Sequence, residues 1–261
     1  MQSDEYIYGI RAVMEAIEAG KDIDRLLIKK DLSSDLAAEL LAVAKQYGIV
    51  TRRVPVEKIN KITRKNHQGV VAVLSAVTYY KLEDIIPDLY EQGKLPFIVL
   101  LDGITDVRNF GAIARTCECA GVDAIVIPEQ GSVSVNGDAI KTSAGALHHI
   151  PVCREKNIMS AVKFLKNNGL QIVAANEKTS TLYTQADFTS PVALVMGAED
   201  VGISPEVLRQ CDTLVAIPEY GHISSLNVSV AAAIMIYEVV RQRNISEYCV
   251  KKGVILKKSR L

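Results

Sequence analysis

The spacing of apolar and polar positions divides the chain into two parts. In the first 77 residues, apolar residues recur at helical spacing in "GIRAVMEAIEAG" (9–20) and "SSDLAAELLAVAKQYG" (33–48), and both segments end in glycine. β-rich runs follow in "IDRLLIKK" (23–30) and "GVVAVLSAV" (69–77). The pattern predicts a small α/β domain over residues 1–77, and residues 78–96 are predicted to be a linker with a short helix.

From residue 97 onward, short apolar runs alternate with segments long enough for helices. The runs are "FIVLLDG" (97–103), "AIVIPE" (124–129), "QIVAAN" (171–176), "ALVMGAE" (193–199) and "TLVAIPE" (213–219). Such runs are typical of strands buried on both faces of a sheet. The alternation predicts a parallel sheet with crossover helices over residues 97–244. The basic tail, 245–261, either adds affinity for RNA or is an unstructured extension, and we expect the latter.

The composition limits the possible partners and cofactors. With 30 basic and 30 acidic residues, the chain needs a local basic surface if it binds a nucleic acid. Its five cysteines include no Cys-x-x-Cys pair, so we expect a reducing cytoplasmic location and neither disulfides nor a metal site. The start, "MQSDEYIYGI", lacks a signal-peptide pattern, and no apolar run is a convincing membrane span, so we expect no membrane partner.

One segment of the small domain is strongly basic. The sequence "TRRVPVEKINKITRKNHQG" (51–69) has a single acidic residue, Glu57, against six basic ones: Arg52, Arg53, Lys58, Lys61, Arg64 and Lys65. Such a run is either a solvated surface or a site that binds the phosphates of RNA. The candidate RNA-binding residues are Arg52, Arg53, Lys61, Arg64 and Lys65.

The ends of the predicted strands are the places to look for chemistry, because ligands of parallel sheets bind beyond the carboxyl ends of the strands. The chain has neither G-x-G-x-x-G after a strand nor G-x-x-x-x-G-K-[ST], so it lacks the usual dinucleotide and P-loop signatures. Asn109 and Arg115 follow the first strand. On their own they fit a helix cap and a solvated helix residue.

Two further strand ends carry polar residues. Gly197 and Glu199 follow the fourth strand, where an ordinary tight turn is an alternative. Ser225, Leu226 and Asn227 precede the apolar helix "VSVAAAIMIYEVVRQR" (228–243). A helix needs only one of these polar residues as its cap, so the others are free to face a ligand.

Three segments together resemble a known family. They are "DGITDVRNFGAIARTCECAGVDAIVIP" (102–128), "LVMGAEDVGIS" (194–204) and "IPEYGHISSLNVSVAAAIMIYEVVRQR" (217–243). In order and spacing they resemble the three motifs of the SpoU-TrmH family, which are S-adenosylmethionine-dependent RNA ribose 2′-O-methyltransferases of the SPOUT class. The N-terminal part, "YIYGIRAVMEAI" through "NHQGVVAV", resembles the ribosomal-protein-like substrate-binding domain of the branch that methylates a guanosine of 23S ribosomal RNA.

The resemblance implies a fold, a cofactor and a site. The fold is a Rossmann-like parallel-sheet domain with a C-terminal trefoil knot that forms a homodimer, and the cofactor is S-adenosylmethionine. Matching the motifs residue by residue implies catalytic roles for Asn109, Arg115, Glu199, Ser225 and Asn227. It also implies that Gly197, Ile217 and Leu226 bind the cofactor. Glu219 departs from the pattern, because the third motif usually has Met there.

Several alternatives remain open at this point. Arg115 is either a general base or a phosphate-binding residue, and arginine is rarely neutral at pH 7. Transfer RNA is an alternative substrate. A catalytically silent RNA-binding or ribosome-assembly protein, and a small-molecule enzyme unrelated to RNA, are the alternatives from other functional classes.

Overall fold

The computed structural model describes residues 6–222 and 225–251, with side chains described up to residue 243. The N-terminal elements are β1 (Tyr6–Tyr8), α1 (Ile10–Glu18), β2 (Ile23–Lys29), α2 (Asp35–Gln46), β3 (Thr51–Val54), α3 (Val56–Ile62) and β4 (Val70–Leu74). The remaining elements are β5 (Tyr79–Tyr80), α4 (Leu82–Glu91), β6 (Phe97–Asp102), α5 (Val107–Ala120), β7 (Ala124–Pro128), α6 (Gly137–Thr142), β8 (Val152–Glu155), α7 (Ile158–Asn167), β9 (Gln171–Ala175), β10 (Val192–Gly197), α8 (Pro205–Leu208), β11 (Thr213–Val215) and α9 (Val228–Lys251).

The N-terminal part forms a four-stranded sheet in the order β1–β4–β2–β3. Strand β2 is antiparallel to β4 and parallel to β3. Helices α1 and α2 pack together, and their buried residues Val13 and Leu40 share a core with Leu26 of β2. Helix α2 begins where the Ser–Asp pair predicts, because the Ser34 hydroxyl accepts a hydrogen bond from the amide of Ala37 at 3.1 Å. The predicted small α/β unit is therefore present.

The second sheet has seven parallel strands in the order β11–β9–β10–β6–β7–β8–β5. All five strands predicted from the apolar runs are present, and the predicted parallel α/β architecture is confirmed. Strands β8 and β5 were not predicted, because they are short and β8, "VCRE", ends in two charged residues. The expected trefoil knot stays a prediction, since strand pairing defines the order of the strands and not the threading of the chain.

Helices cover both faces of this sheet, which explains the uninterrupted apolar runs of its central strands. Buried residues of α5 and α9, among them Phe110 and Met235, pack on one face. Buried residues of α4 and α7, among them Ile86 and Leu165, pack on the other face. The carboxyl edge of the sheet is not covered by these helices, and the loops that follow the strands lie there.

Residues 78–96 have a larger role than the linker expected of them. Strand β5 pairs with β8 at the edge of the seven-stranded sheet. Helix α4 follows directly, and its residues Leu82, Ile86 and Leu89 are buried against the sheet. The segment thus joins the second sheet as well as connecting the two parts of the chain.

Helix α9 is longer than the apolar pattern predicts. It continues to Lys251, so the expectation of an unstructured extension is wrong for residues 245–251, while residues 252–261 lie outside the described range. The sequence offers a reason, because neither glycine nor proline interrupts the chain between Val228 and Lys251. The Arg243 side chain anchors the helix by donating hydrogen bonds to the carbonyls of Phe188 (2.7 Å), Leu95 (3.0 Å) and Ser190.

Three chemical features of the described residues bear on partners and cofactors. Cys117 and Cys153 are buried, Cys119 is exposed, and all three are free thiols. Within residues 6–222 and 225–251, no helix is long and apolar enough to cross a membrane. Among the residues whose side chains are described, no group of three histidine, cysteine or acidic side chains is arranged to hold a metal ion.

Candidate active site

A cleft opens at the carboxyl edge of the seven-stranded sheet. Its volume is about 380 Å³, and its walls are formed by the chain that follows β9, β10 and β11 together with the start of α9. This is the position where parallel sheets bind ligands. The sequence-predicted residues that line it are Gly197, Glu199, Ile217, Ser225 and Leu226.

Beside the cleft, Glu199 joins two asparagines that are far apart in the sequence. Its Oε1 accepts hydrogen bonds from Asn109 Nδ2 at 3.2 Å and from Asn227 Nδ2. Asn227 Nδ2 also donates to Asn109 Oδ1 at 3.0 Å. The structure therefore brings together one predicted residue from each of the three strand ends. We call Asn109, Glu199 and Asn227 the amide cluster.

The start of α9 shows how the polar residues there divide their tasks. Asn227 caps the helix, because its Oδ1 accepts a hydrogen bond from the amide of Ser229 at 3.0 Å. Glu199 Oε1 accepts a hydrogen bond from the backbone amide of Val228, the first residue of α9, at 3.1 Å. The positive end of the helix dipole favours the negative charge of Glu199 at this place. Capping and cleft-lining positions are thus divided: Asn227 caps α9, whereas its neighbours Ser225 and Leu226 line the cleft.

The interpretation of Asn109 as a helix cap is wrong. The cap of α5 is Asp106, whose Oδ1 accepts hydrogen bonds from the amides of Arg108 at 2.7 Å and Asn109 at 3.1 Å. The sequence "DVRN" offers two residues suited to capping, and the structure uses the earlier one. The Asn109 side chain is therefore free to reach Glu199.

Arg115 is not brought to the amide cluster within one copy of the chain. It lies on α5 six residues after Asn109, so the two side chains leave the helix in different directions. Its side chain is exposed, and no hydrogen bond or ion pair to it is found among the described residues. It does not line the cleft.

Gly197 has a role in the fold of the cleft itself. A Cβ atom at this position would lie 2.3 Å from the carbonyl carbon of Gly202 and 2.3 Å from the amide nitrogen of Ile203. The residue therefore permits the close backbone turn between Ala198 and Gly202, which pair in an isolated bridge. The tight-turn interpretation and the cleft-lining interpretation both hold for Gly197.

Sequence reasoning missed part of the cleft wall. Three residues that follow β9 line the cleft: Asn176, Glu177 and Lys178. The polar residue at the end of "QIVAAN" was the sequence signal that could have identified them. Glu219, which departs from the family pattern, also lines it. The charged lining residues are four acids and one base: Glu177, Glu199, Asp200, Glu219 and Lys178. The cleft therefore favours a ligand that carries positive charge.

The predicted RNA-binding residues lie on the N-terminal domain, on β3 and α3 and in the segment after α3. All of them are exposed: Arg52, Arg53, Lys61, Arg64 and Lys65. Arg53 donates a hydrogen bond to the carbonyl of Lys30 at 2.8 Å, and the Lys65 ammonium lies 5.7 Å from the centre of the Tyr8 ring. We call these five residues the basic surface.

Comparison with known proteins decides the family. The SpoU rRNA Methylase family matches residues 96–237, more than half of the chain. The chain belongs to this family. A second family description, RNA 2′-O ribose methyltransferase substrate binding, matches residues 6–80. The SpoU assignment confirms the predicted resemblance and makes the protein an RNA methyltransferase. The alternative of a small-molecule enzyme is thereby excluded.

Individual relatives of this SpoU-family protein match it over most of its length. A Staphylococcus saprophyticus protein, named provisionally as a TrmH family tRNA/rRNA methyltransferase, is 38% identical over 238 residues, which are 91% of this chain and 96% of the relative. A Bacillus subtilis protein of the same provisional name is 34% identical over 243 residues, 93% of this chain and 98% of the relative.

Solved structures of SpoU-type enzymes share the fold. The AdoMet-bound rRNA methyltransferase from Sinorhizobium meliloti is 28% identical, with a TM-score of 0.58 over 90% of this chain and 86% of the other. The SpoU methyltransferase AviRb from Streptomyces viridochromogenes, in complex with AdoMet, is 27% identical, with a TM-score of 0.57 over 91% of this chain and 89% of the other.

Proposed function

We propose that this RNA methyltransferase transfers a methyl group from S-adenosylmethionine to a ribose 2′-hydroxyl of ribosomal RNA, and that its target is a guanosine of 23S ribosomal RNA. The observation that carries the proposal is the amide cluster beside the cleft, where Glu199 holds Asn109 and Asn227 together. The choice of a 23S guanosine rests on the resemblance of the N-terminal domain alone.

The cleft fits the proposed methyl donor in size and charge. Its volume of about 380 Å³ lies in the range of small-molecule sites. Its excess of acidic residues suits a ligand with a sulfonium and an ammonium group. Gly197, Ile217 and Leu226 would hold S-adenosylmethionine, which when bound supplies a methyl group activated by the positive sulfur.

The amide cluster would orient the ribose. Glu199 uses only Oε1 within the described part of the protein, so its Oε2 is available to a ligand hydroxyl. Asn109 and Asn227 are held at fixed positions by that same oxygen, and Ser225 lies in the cleft wall nearby in sequence. Fixing two reactants in line is worth several kcal/mol of the barrier in a displacement reaction.

Arg115 would bind RNA rather than abstract a proton. Its guanidinium is exposed on α5, and arginine binds phosphate oxygens with two parallel hydrogen bonds. A neutral guanidine is scarce at pH 7, which disfavours the role of general base. Because Arg115 lies away from the amide cluster of its own copy, we assign it to a phosphate of the bound RNA rather than to the reacting hydroxyl.

Ribosomal RNA is favoured over transfer RNA by the extent of two structural matches. The A. aeolicus TrmH/SpoU tRNA modifying enzyme matches 66% of this chain and 94% of its own length, with 29% identity and a TM-score of 0.51. The S. meliloti rRNA methyltransferase matches 90% of this chain. The basic surface on the N-terminal domain would provide the additional RNA contact.

A homodimer is part of the proposal. Val230 and Tyr237 of α9 are apolar or aromatic side chains about half exposed, with 47% and 50% of their surface accessible. A second copy packed against α9 would bury them. Sedimentation of the purified protein tests this, and Val230→Glu is expected to shift a dimer toward the monomer.

Mapping of ribose methylation tests the proposed substrate. Ribosomal and transfer RNA from cells with and without the protein are compared by the resistance of each nucleotide to alkaline cleavage. Loss of one 23S guanosine methylation, restored by the wild-type protein but not by Glu199→Ala, is the expected result. Loss of a methylation in transfer RNA instead would identify transfer RNA as the substrate and refute the proposal of ribosomal RNA. An unchanged methylation map in both kinds of RNA would refute ribosomal RNA as the substrate.

A further inference from the structure

A buried charged cluster joins the N-terminal domain to the seven-stranded sheet. Asp24 belongs to β2, whereas Tyr79 and Arg154 belong to β5 and β8 of the second sheet. Arg154 Nη2 lies 2.5 Å from Asp24 Oδ1, and Arg154 Nη1 donates to the Asp24 carbonyl at 2.8 Å. The Tyr79 hydroxyl donates to Asp24 Oδ1 at 3.0 Å and accepts from Arg154 Nη2 at 2.6 Å.

The second oxygen of Asp24 is also occupied. Oδ2 accepts hydrogen bonds from the Ser134 hydroxyl at 2.6 Å and from Arg25 Nε at 2.7 Å. The Asp24 side chain is 1% exposed. Burial alone would raise the pKa of Asp24, but the Ser134 hydrogen bond and the charges of Arg154 and Arg25 outweigh it and lower the pKa. The carboxylate is therefore ionised although it is buried.

A β-bulge aims Asp24 out of its own sheet. In the antiparallel pairing of β2 with β4, Ile23 pairs with Leu74 and Arg25 pairs with Val73, so Asp24 is the extra residue between them. Bulges change the direction of a side chain and are retained as specific features of a fold. Here the bulge residue is the one that contacts the other sheet.

The chemistry of this cluster suits a role in fixing the relative orientation of the two domains better than a role in stabilising the fold. Arg154 Nε is buried, and it is the one buried side-chain polar atom without a hydrogen-bond partner in the described part of the chain. Buried ion pairs stabilise a fold no better than well-packed apolar residues do, and in some proteins they are retained because they specify one arrangement. A cluster that spans the two sheets is placed to fix their relative orientation.

The cluster is also connected to the candidate active site. Ser134 lies between β7 and α6, next to Val133, whose amide donates to the carbonyl of Ile104 at 3.0 Å. Ile104 lies two residues before Asp106, the cap of α5, and five before Asn109. A shift of the N-terminal domain would therefore act on the loop that positions Asn109.

We propose that Asp24 is a positioning residue for methyl transfer: it fixes the angle at which the N-terminal domain presents RNA to the amide cluster. This inference rests on the proposed function in one respect, that RNA bound to the basic surface is methylated at the cleft. Asp24 itself contacts neither substrate.

The test compares Asp24→Asn with Asp31→Asn in the full-length protein. Asp31 is an exposed residue of the same domain, so the control removes the same charge without touching the junction. Four quantities are measured: kcat and KM for ribosomal RNA, the dissociation constant of S-adenosylmethionine by calorimetry, and the small-angle X-ray scattering profile. Tyr79→Phe and Ser134→Ala each remove one hydroxyl from the cluster. They replace Asp24→Asn in the same measurements if that variant does not fold.

For Asp24→Asn we expect kcat/KM for RNA to fall by about 100-fold, since a misplacement of about 1 Å costs that much. The dissociation constant of S-adenosylmethionine should stay within about twofold, and the radius of gyration should rise. The two hydroxyl variants should show smaller changes of the same kind, and Asp31→Asn none. A purely structural role would instead weaken cofactor binding and RNA turnover together.

Two results would overturn the inference. One is an Asp24→Asn protein whose RNA kinetics and scattering match those of Asp31→Asn. The other is equal loss of cofactor affinity and RNA turnover, with unchanged scattering. If the wild-type protein methylates no ribosomal RNA, the proposed substrate fails, while the scattering comparison still decides whether Asp24 fixes the domains.

Discussion

Two carboxylates organise two regions of this molecule, and they do so in opposite ways. Asp24, at the domain junction, is buried, and both of its oxygens are occupied by hydrogen bonds from four side chains. Glu199, at the cleft, is exposed, and among the described residues only its Oε1 is occupied. The junction carboxylate is balanced by two arginines, whereas the cleft carboxylate is held by neutral amides.

The difference separates a network that positions the two domains from one that is able to contact a substrate. A carboxylate whose lone pairs are all used inside the protein cannot bind a ligand, so Asp24 acts on the reaction only through the arrangement of the two domains. A carboxylate with one free oxygen at the edge of a cleft is able to bind a substrate, and its removal affects the reaction. The predictions below test this distinction at each region.

The largest effect on stability is expected at Asp24. Asp24→Asn leaves the guanidinium of Arg154 buried without its charge partner, which costs about 3–5 kcal/mol in the free energy of unfolding. Urea unfolding of the variant and of Asp31→Asn measures this difference. A loss below about 1 kcal/mol would show that the junction tolerates the change.

The same variant has a predicted pH dependence. The lowered pKa of Asp24 means that its contribution to stability is present above the ordinary value of 3.8 and is lost as the pH falls below it. The stability difference between wild type and Asp24→Asn should therefore be full at pH 7 and shrink below about pH 4. A difference that stays constant with pH would contradict the ionised state of Asp24.

At Glu199 the large effect should be on activity. Glu199→Ala frees Asn109 and Asn227, so single-turnover methyl transfer should fall by about 100-fold. The free energy of unfolding should fall by no more than about 2 kcal/mol, because the side chain is exposed and its main structural contact is the hydrogen bond with the Val228 amide at the start of α9. Glu39→Ala, on the exposed side of α2, is the matched control. Unchanged transfer by Glu199→Ala would remove the basis for the amide cluster.

A smaller loss of stability is expected at Gly197. In Gly197→Ala the added methyl group meets the backbone of Gly202 and Ile203, and such overpacking costs about 1–3 kcal/mol. Because the turn forms a wall of the cleft, binding of S-adenosylmethionine should weaken as well. Urea unfolding and calorimetry compare Gly197→Ala with the wild-type protein. An unchanged free energy of unfolding would contradict the tight turn.

The smallest effect is expected at Glu219. It is an exposed acid of the cleft wall, and exposed charge interactions are worth up to about 1 kcal/mol. Glu219→Gln should therefore raise the dissociation constant of S-adenosylmethionine by about threefold, and high salt should reduce the difference. Tighter binding by the variant would show that the acidic lining does not favour the methyl donor.

The sequence predicts the strands and helices of this protein better than it predicts the side-chain contacts between them. Long apolar runs identify five strands, but β8 is missed because two of its four residues are charged. The segments that carry Asn109, Glu199 and Asn227 are recognisable, whereas the choice of Asp106 over Asn109 as a cap depends on where α5 begins. Spacing does not settle that choice.

The junction between the domains was beyond sequence reasoning. Asp24 and Arg154 are 130 residues apart, and each looks like an ordinary charged residue of a strand. Their pairing depends on a bulge in β2 and on the placement of the two sheets, and neither leaves a periodic signal. Burial of a charge is visible only once the fold is known.

Hydrogen–deuterium exchange with and without S-adenosylmethionine tests the central claim most directly, since that claim is that the cleft binds the methyl donor beside the amide cluster. We predict slower exchange in peptides covering 196–203 and 215–222 and little change in the N-terminal domain. Unchanged exchange in these peptides at saturating ligand, with protection confined to another part of the chain, would contradict the account.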